Sequence, residues 1–359
     1  MTKPTPIYVR IIFFAIIMLF VLLLLGVISF FADRAILGQT YARVPAANPN
    51  LLATYDDYAG SYDREAVEFE LDGKTLRGYV YGPSNTRGLI IFRHGIMSQH
   101  QDYLPMIIAM VDKCWKVFAY DAIGCGESDG DDVIGLSQSP IDVVAAVGFA
   151  HKSGMADGMQ IALWGHSWGG YGVAAALGEC ADDVSACVTM SGFDTPMKEL
   201  EVGARSTLGP FAFTQAPTLW LNTFLVFGSD GNRSASQAII DSGVPTLVMH
   251  GVNDPVIPYD EASILSNTTV DGNVPANVST MTFTEPGRSE HNSYFYSVES
   301  QNYLNDCGKK LQQLLDENDD DPNAPEVVAF MNGVDKLKAN TADPALIEEI
   351  DGFLAANLG

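Results

Sequence analysis

Short, almost uninterrupted apolar runs recur along the chain, separated by stretches of helical periodicity. The clearest are "GLIIFRHG", "WKVFAYD", "QIALWGH" and "VPTLVMHG". A strand that is apolar at every position is buried on both faces, and such strands alternate with helices in parallel α/β sheets. Two further runs, "AVEFEL" and "TLRGYVY", flank Asp72-Gly73-Lys74, which is typical of a hairpin. We therefore predict a mostly parallel sheet flanked by helices.

The N-terminal segment 11–31 contains no charged residue. Its 21 residues, at about 1.5 Å each, give a helix of roughly 32 Å, enough to cross the hydrocarbon layer. A cleaved signal peptide is the alternative, but its apolar core would be shorter and "ISFFADRA" is a poor cleavage site. Basic residues precede the segment, whereas Asp33 offsets Arg34 after it, so we place residues 1–10 in the cytoplasm. We predict a single-pass transmembrane helix with the remainder extracytoplasmic.

The rest of the chain divides by composition. Residues 32–63 are polar, contain proline and show no clear period, so we predict a stalk. A hydrophobic content of 47% supports one globular domain over 64–359. Its βα alternation is interrupted at about 194–238, the predicted helical cap, and at about 296–340, a predicted insertion before a closing helix. The net charge of −24, from 44 acidic and 20 basic residues, argues against nucleic acid as a partner.

One serine is flanked by glycines at a predicted strand-to-helix junction, in "IALWGHSWGGYGVAAAL". The pattern G-x-S-x-G is weak by itself in a chain with 33 glycines. At a strand–turn–helix junction, however, Gly165 and Gly169 permit a sharp turn that exposes Ser167. The helix N-terminus adds free N–H groups and a positive dipole end, which stabilise an oxyanion. We predict that Ser167 is a nucleophile and that His166 packs beneath the turn.

A nucleophilic serine needs a base, and the base needs an orienting carboxylate. Asp254 follows the apolar run "VPTLVMHG", at the strand end where ligands bind in open α/β sheets. His291 is the only later histidine and completes the order Ser, Asp, His. Three other carboxylates are weaker candidates because none directly ends a strongly apolar strand: Asp260, Asp271 and Glu285. We predict a triad of Ser167, Asp254 and His291 that needs no metal or cofactor and loses activity at acid pH as His291 becomes protonated.

With these motifs the chain resembles the α/β-hydrolase superfamily from about Arg64 to the C-terminus. The resemblance is carried by "HGIM", "DAIGCGESDG", "GHSWGG", "HGVNDPVIP" and the loop of His291. It implies an α/β-hydrolase fold with a small cap. It also implies that the backbone N–H groups of Ile96 and Trp168 form the oxyanion hole.

We expect a serine hydrolase that cleaves carboxylic esters, either acyl lipids or small esters, because the cap is apolar and adjoins a membrane. Cap aromatics are candidates to line an acyl pocket over Ser167: Phe211, Phe213, Trp220, Phe224 and Phe227. One alternative is an aminopeptidase-like enzyme in which Glu199 or Glu201 holds a free amine. Another is a non-catalytic binding protein on a hydrolase fold. The sequence predicts no particular oligomeric state.

Overall fold

The structure, a computed structural model, describes residues 6–45, 51–269 and 272–358. Its first helix, α1 (Ile7–Thr40), is the only helix among these residues that is long and apolar enough to cross a membrane. The predicted span 11–31 lies inside α1. The helix is longer than predicted: it continues beyond residue 31, and its last turns pack against the rest of the protein.

An eight-stranded sheet forms the centre of the molecule. Its strands are β1 (Arg64–Leu71), β2 (Lys74–Tyr81), β3 (Leu89–Arg93), β4 (Lys116–Tyr120), β5 (Ile161–His166), β6 (Ala186–Met190), β7 (Thr246–Gly251) and β8 (Val278–Phe283). Their spatial order is β8-β7-β6-β5-β3-β4-β2-β1, and β2 alone runs against the others. The predicted hairpin and mostly parallel sheet are confirmed. β6 was not predicted, because its short run "ACVTM" directly follows a polar turn.

Helices cover both faces of this sheet. After α1 they are α2 (Leu104–Asp112), α3 (Gln138–Lys152), α4 (Trp168–Cys180), α5 (Pro196–Leu208), α6 (Ala216–Phe227), α7 (Ala235–Ser242), α8 (Val298–Glu317), α9 (Pro325–Gly333) and α10 (Pro344–Leu358). Short helical segments lie at Tyr55–Tyr58, His100–Tyr103, Ala181–Asp183, Gly209–Thr214, Gly228–Asn232, Ile264–Asn267 and Lys336–Ala339. One apolar core lies between the sheet and α3, α4 and α7, and a second lies between the sheet and α2 and α10.

The central strands alternate between these two cores. In β3, Leu89 and Ile91 point into the first core, whereas Ile90 and Phe92 point into the second. All four side chains are fully buried. The strands are apolar at every position because helices cover both faces of the sheet. This packing on both faces holds the carboxyl ends of β3, β5, β7 and β8 at one fixed edge.

The predicted stalk is wrong for its described residues. The chain continues from α1 into a buried Tyr41 and a two-residue strand, Val44–Pro45, that pairs in parallel with Cys125–Gly126. The guanidinium of Arg43 donates hydrogen bonds to three carbonyl oxygens of the neighbouring glycine-rich turn, at 2.6 to 2.9 Å. These contacts hold the segment after α1 on the domain surface.

Two groups of helices depart from simple βα alternation. α5 and α6, joined by Gly209–Thr214, form the cap, while α7 returns to the body and packs against α4. α8 and α9 form the insertion, closed by a hydrogen bond of 2.7 Å from Ser300 Oγ to the Lys338 carbonyl oxygen. The chain then returns to the body in α10.

Candidate active site

Ser167 lies at the sharp junction between β5 and α4, with φ 57° and ψ −120°. The chain passes so close to itself here that two flanking positions have no room for a side chain. A Cβ on Gly165 would lie 2.3 Å from the Gly169 carbonyl oxygen, and a Cβ on Gly169 would lie 2.0 Å from that of Arg93. The strained turn therefore depends on both glycines, and it presents the Ser167 hydroxyl at the carboxyl edge of the sheet.

The structure brings Ser167, Asp254 and His291 together, although up to 124 residues separate them in sequence. His291 Nε2 lies 2.9 Å from Ser167 Oγ, and His291 Nδ1 lies 2.7 Å from Asp254 Oδ2. Because a carboxylate only accepts, Nδ1 carries the proton and Nε2 is free to accept one from the serine. This is the geometry required for a serine activated by an oriented imidazole.

Asp254 is buried, yet it is surrounded by donors. Burial alone raises the pKa of this carboxyl, but hydrogen bonds from His250, His291 and the Ile257 backbone outweigh burial and hold the pKa well below its ordinary value. Its second oxygen, Oδ1, accepts the N–H groups of Val256 and Ile257, both at 2.9 Å. Asp254 therefore stays anionic at neutral pH and has a fixed orientation.

The loop that carries His291 is anchored through its main chain. The His291 carbonyl oxygen accepts hydrogen bonds from Ser191 Oγ at 2.9 Å and from His166 Nε2 at 3.1 Å. Both donors lie at the carboxyl ends of central strands, His166 as the last residue of β5 and Ser191 directly after β6, so the sheet fixes the position of the His291 loop. From the sequence, His166 was predicted only to pack beneath the turn, and no role was predicted for Ser191.

The residues proposed for the oxyanion hole, Ile96 and Trp168, line the same cavity as Ser167. Trp168 is the first residue of α4, so its N–H has no partner within the helix. Ile96 follows a turn fixed by His94, which donates from Nδ1 to the Gly95 carbonyl oxygen at 2.7 Å and accepts the Ala122 N–H at Nε2. Burial and the charge of Arg93 lower the pKa of His94 to about 3, so its ring is neutral and structural.

A buried ion pair lies beneath this turn. The guanidinium of Arg93 stacks on the Trp168 ring, 4.2 Å from its centroid, and contacts Asp142 at 3.4 Å. Both charged side chains are fully buried. Burial raises the pKa of Asp142 to about 6, although Arg93 opposes that rise. The sequence carried a signal for this pair, because an arginine inside the apolar run "GLIIFRHG" requires a buried partner.

A cavity of about 330 Å³ opens at Ser167. Its lining is mostly apolar and is supplied by α1, α5 and α6 together with Ile96, Trp168 and Ile257. The expectation that cap aromatics line it is wrong: none of the five lies among its lining residues. α6 instead turns Leu219 and Asn222 inward and leaves Trp220 and Phe224 exposed.

One acidic side chain also borders the cavity. Glu199 lies at the start of α5, and its Oε2 is buried with no hydrogen-bond partner among the described residues. Burial, assisted by the charge of Asp254, raises the pKa of Glu199 to about 8. Glu201 is exposed and is not among the cavity residues.

The other acidic candidates do not join the triad. Asp260 and Glu285 are exposed and make no contact with His291, and Asp271 lies outside the described residues. Within the described part of the chain, no three His, Cys, Asp or Glu side chains are grouped as a metal site requires.

Comparison with known proteins places this site in context. A family model described as "Serine aminopeptidase, S33" matches residues 84–224. The uncharacterized protein YfhR of Salmonella typhi is 26% identical over 216 residues, which cover 56% of this chain and 68% of YfhR. An esterase of Pyrococcus furiosus superposes with a TM-score of 0.54 at 16% identity, covering 77% of this chain and 98% of the esterase. At that identity the structural likeness shows the fold alone.

Proposed function

We propose that this chain, whose fold is that of an α/β-hydrolase, belongs to that superfamily and is a serine hydrolase of carboxylic esters. One observation carries the proposal. A single imidazole, that of His291, lies within hydrogen-bond distance of both the Ser167 hydroxyl and the Asp254 carboxylate. A non-catalytic binding protein has no need of this arrangement at a strained turn.

The chemistry follows from the positions of the protons. Ser167 Oγ attacks the ester carbonyl carbon while His291 Nε2 takes the hydroxyl proton. The tetrahedral intermediate collapses, and the alcohol leaves with that proton from His291. Water then attacks the acyl-enzyme with His291 again as base, releasing the carboxylic acid and restoring Ser167. Asp254 keeps the imidazole in the required tautomer throughout.

The oxyanion of each tetrahedral intermediate needs hydrogen-bond donors that are already in place. The proposed donors are the backbone N–H groups of Ile96 and Trp168, supported by the N-terminus of α4. Loss of one such donor typically reduces the rate by about 10²–10³-fold. The Arg93–Trp168 stack fixes the orientation of the second donor.

The proposal includes a membrane anchor. The length and apolar surface of α1 support a single transmembrane pass, and the basic residues before it support a cytoplasmic N-terminus. Cys114 is the only exposed cysteine among the described residues, so it serves as a probe of orientation. A membrane-impermeant maleimide should label it on intact cells, and labelling only after permeabilisation would contradict the orientation.

Aminopeptidase activity is the second candidate, and Glu199 is the observation that favours it. A buried carboxyl without a partner, in the same cavity as the nucleophile, is a suitable site for a substrate ammonium group. The family-model description agrees with this candidate. Against it, the raised pKa keeps Glu199 mostly protonated at neutral pH until a cation binds.

A matched substrate panel tests the proposal. Full-length protein and its Ser167→Ala variant are assayed with acyl esters of increasing chain length and with aminoacyl amides. We expect ester turnover that Ser167→Ala abolishes, and Ser206→Ala, an exposed cap serine, serves as the control. Turnover of amides alone, together with its loss in Glu199→Gln, would replace the esterase assignment with the aminopeptidase one.

A further inference from the structure

The membrane helix is part of the catalytic domain. Asp33 of α1 accepts a hydrogen bond of 2.5 Å from Thr218 of α6, and Ser29 donates to Gln215 just before α6. Asp33 is buried by this contact. Two polar pairs therefore fix the cap against α1 at the C-terminal end of the apolar span, one at Ser29 inside the span and one at Asp33 just after it.

The same end of α1 forms a wall of the catalytic cavity. Ile36, Leu37 and Thr40 line the cavity that contains Ser167. Ile36 is also largely exposed on the outside of the protein, as is Leu208 on the facing helix α5. These two residues therefore belong both to the cavity lining and to the outer surface, and they mark an apolar opening between α1 and the cap.

The part of the cap that follows α5 is apolar and uncharged on its outer surface. No charged residue occurs in residues 209–229, in a chain whose net charge is −24. Most of the large apolar side chains of this segment point away from the protein: Phe211, Phe213, Trp220, Leu221, Phe224, Leu225 and Val226. Such a cluster on one face marks an interaction surface rather than a region exposed to water. We call it the cap face.

The attachment of the cap to α1 indicates what contacts the cap face. The cap contacts α1 on both sides of the C-terminal end of the apolar span, so the cap face lies at the level where α1 leaves the bilayer. Uncharged aromatic and aliphatic side chains are the types that enter the interfacial layer. The strongly acidic remainder of the protein is repelled by anionic lipid and stays in water.

We propose that the cap face is immersed in the leaflet at which α1 ends, and that the catalytic cavity opens to that leaflet between α1 and the cap. The substrate is then an ester whose acyl chain resides in the bilayer and enters the cavity laterally. This inference rests on the proposed esterase function and membrane anchor, and it specifies the substrate class and route of entry.

Fluorescence tests the immersion independently of catalysis. Trp115, Trp164 and Trp168 are fully buried, whereas Trp220 on the cap face is 49% exposed. In vesicles of brominated phosphatidylcholine, the full-length protein should lose much of its tryptophan emission relative to ordinary phosphatidylcholine. Trp220→Phe should abolish this difference. Equal emission of the wild-type protein in the two lipids would overturn the proposal.

Kinetics test the route of entry. Full-length protein in phosphatidylcholine vesicles is given 4-methylumbelliferyl acetate, which is soluble, or the oleate ester embedded in the bilayer. The double variant Phe213→Glu/Leu225→Glu charges the cap face outside the cavity lining. The control variant Val298→Glu/Val328→Glu charges exposed apolar positions on α8 and α9.

We expect the cap-face variant to hydrolyse oleate about tenfold more slowly, because a charged side chain is costly inside the leaflet, with acetate hydrolysis unchanged. The control variant should match wild type on both esters. An unchanged oleate rate in the cap-face variant would overturn lateral entry. If wild type cleaves neither ester, the proposed function fails and lateral entry fails with it, while the fluorescence result still decides immersion.

Discussion

The ring of His166 is hydrogen-bonded on both sides, to the two loops that flank Ser167. Nε2 donates to the His291 carbonyl oxygen at 3.1 Å, and Nδ1 accepts from the Tyr103 hydroxyl at 2.8 Å. That hydroxyl accepts in turn from the Gly95 N–H. Burial and the neighbouring imidazole of His291 hold the pKa of His166 well below its ordinary value, so the ring is neutral. Its two hydrogen bonds fix the tautomer that carries the proton on Nε2. One side chain thus links the turn before Ile96 to the loop of His291.

Replacing His166 should therefore impair the chemical step more than substrate binding. His166→Phe keeps an aromatic ring against Phe295 but loses both hydrogen bonds. We expect kcat to fall by about 10–100-fold, because misplacement of a catalytic group by about 1 Å has an effect of this size, and KM to change little. His151→Gln, on the exposed surface, should be neutral in the same steady-state assay. A rise in KM with unchanged kcat would show that His166 does not position the machinery.

Two glycine-to-alanine substitutions should have opposite effects on stability, because the backbone leaves no room for a Cβ at one position and open space at the other. Gly169→Ala places a Cβ 2.0 Å from a backbone oxygen that cannot move aside, so we expect loss of activity and a lower melting temperature. Gly148→Ala, at an exposed position of α3 with open space around it, should stabilise the protein by about 0.5–1 kcal/mol. Thermal unfolding and ester hydrolysis measure both. An active, stable Gly169→Ala variant would show that the turn is looser than described.

Because Arg93 and Asp142 form a buried ion pair, we expect the single variant to lose much more free energy of unfolding than the double variant. Arg93→Met leaves the Asp142 carboxyl buried without its cation, which should lower the free energy of unfolding by about 3–5 kcal/mol. Arg93→Met/Asp142→Leu removes both charges and should recover most of that loss. Denaturant unfolding in detergent compares the three proteins. A double variant no more stable than Arg93→Met would show that the unpaired carboxyl of Asp142 is not what destabilises the single variant.

Glu199 predicts a pH-dependent change in stability. Its pKa rises from 4.5 to about 8 on folding, so between these values the unfolded chain is ionised while the folded protein keeps the proton. The free energy of unfolding therefore falls as pH rises through this interval. Glu199→Gln removes that loss, so it should melt roughly 2–8 °C above wild type at pH 9 and close to wild type at pH 4. The exposed Glu201→Gln provides the control, and equal melting of Glu199→Gln and wild type at pH 9 would argue against a protonated Glu199.

Two of the three central residues of the candidate site could be predicted from strand ends. Ser167 and Asp254 directly follow apolar runs that can only be buried strands, and the carboxyl ends of parallel strands meet at one edge. His291 was assigned by order along the chain. The contacts that orient the triad were not predictable, because hydrogen bonds such as those of His166 and Ser191 join loops whose approach depends on the whole sheet.

The cap illustrates what periodicity cannot decide. α6 carries apolar residues on every side, so the sequence does not say which side faces inward. In the structure, hydrogen bonds of polar side chains on α6 determine which side faces inward. Thr218 bonds to Asp33, and Asn222 donates to the Phe30 carbonyl oxygen at 3.3 Å, which turns the aromatic side outward. The predicted stalk failed for a similar reason, since the role of Arg43 depends on carbonyl groups more than 80 residues away.

The central claim is that His291 activates Ser167 for nucleophilic attack. The most direct measurement is peptide mass spectrometry of the full-length protein after treatment with a fluorophosphonate, compared with its His291→Gln variant. We predict a single adduct on Ser167 in the wild-type protein, formed at least a thousandfold more slowly when His291 is replaced, in keeping with the usual effect of triad loss of about 10³–10⁶-fold. A folded wild-type protein that remains unmodified, or equal labelling rates in the two proteins, would contradict this account.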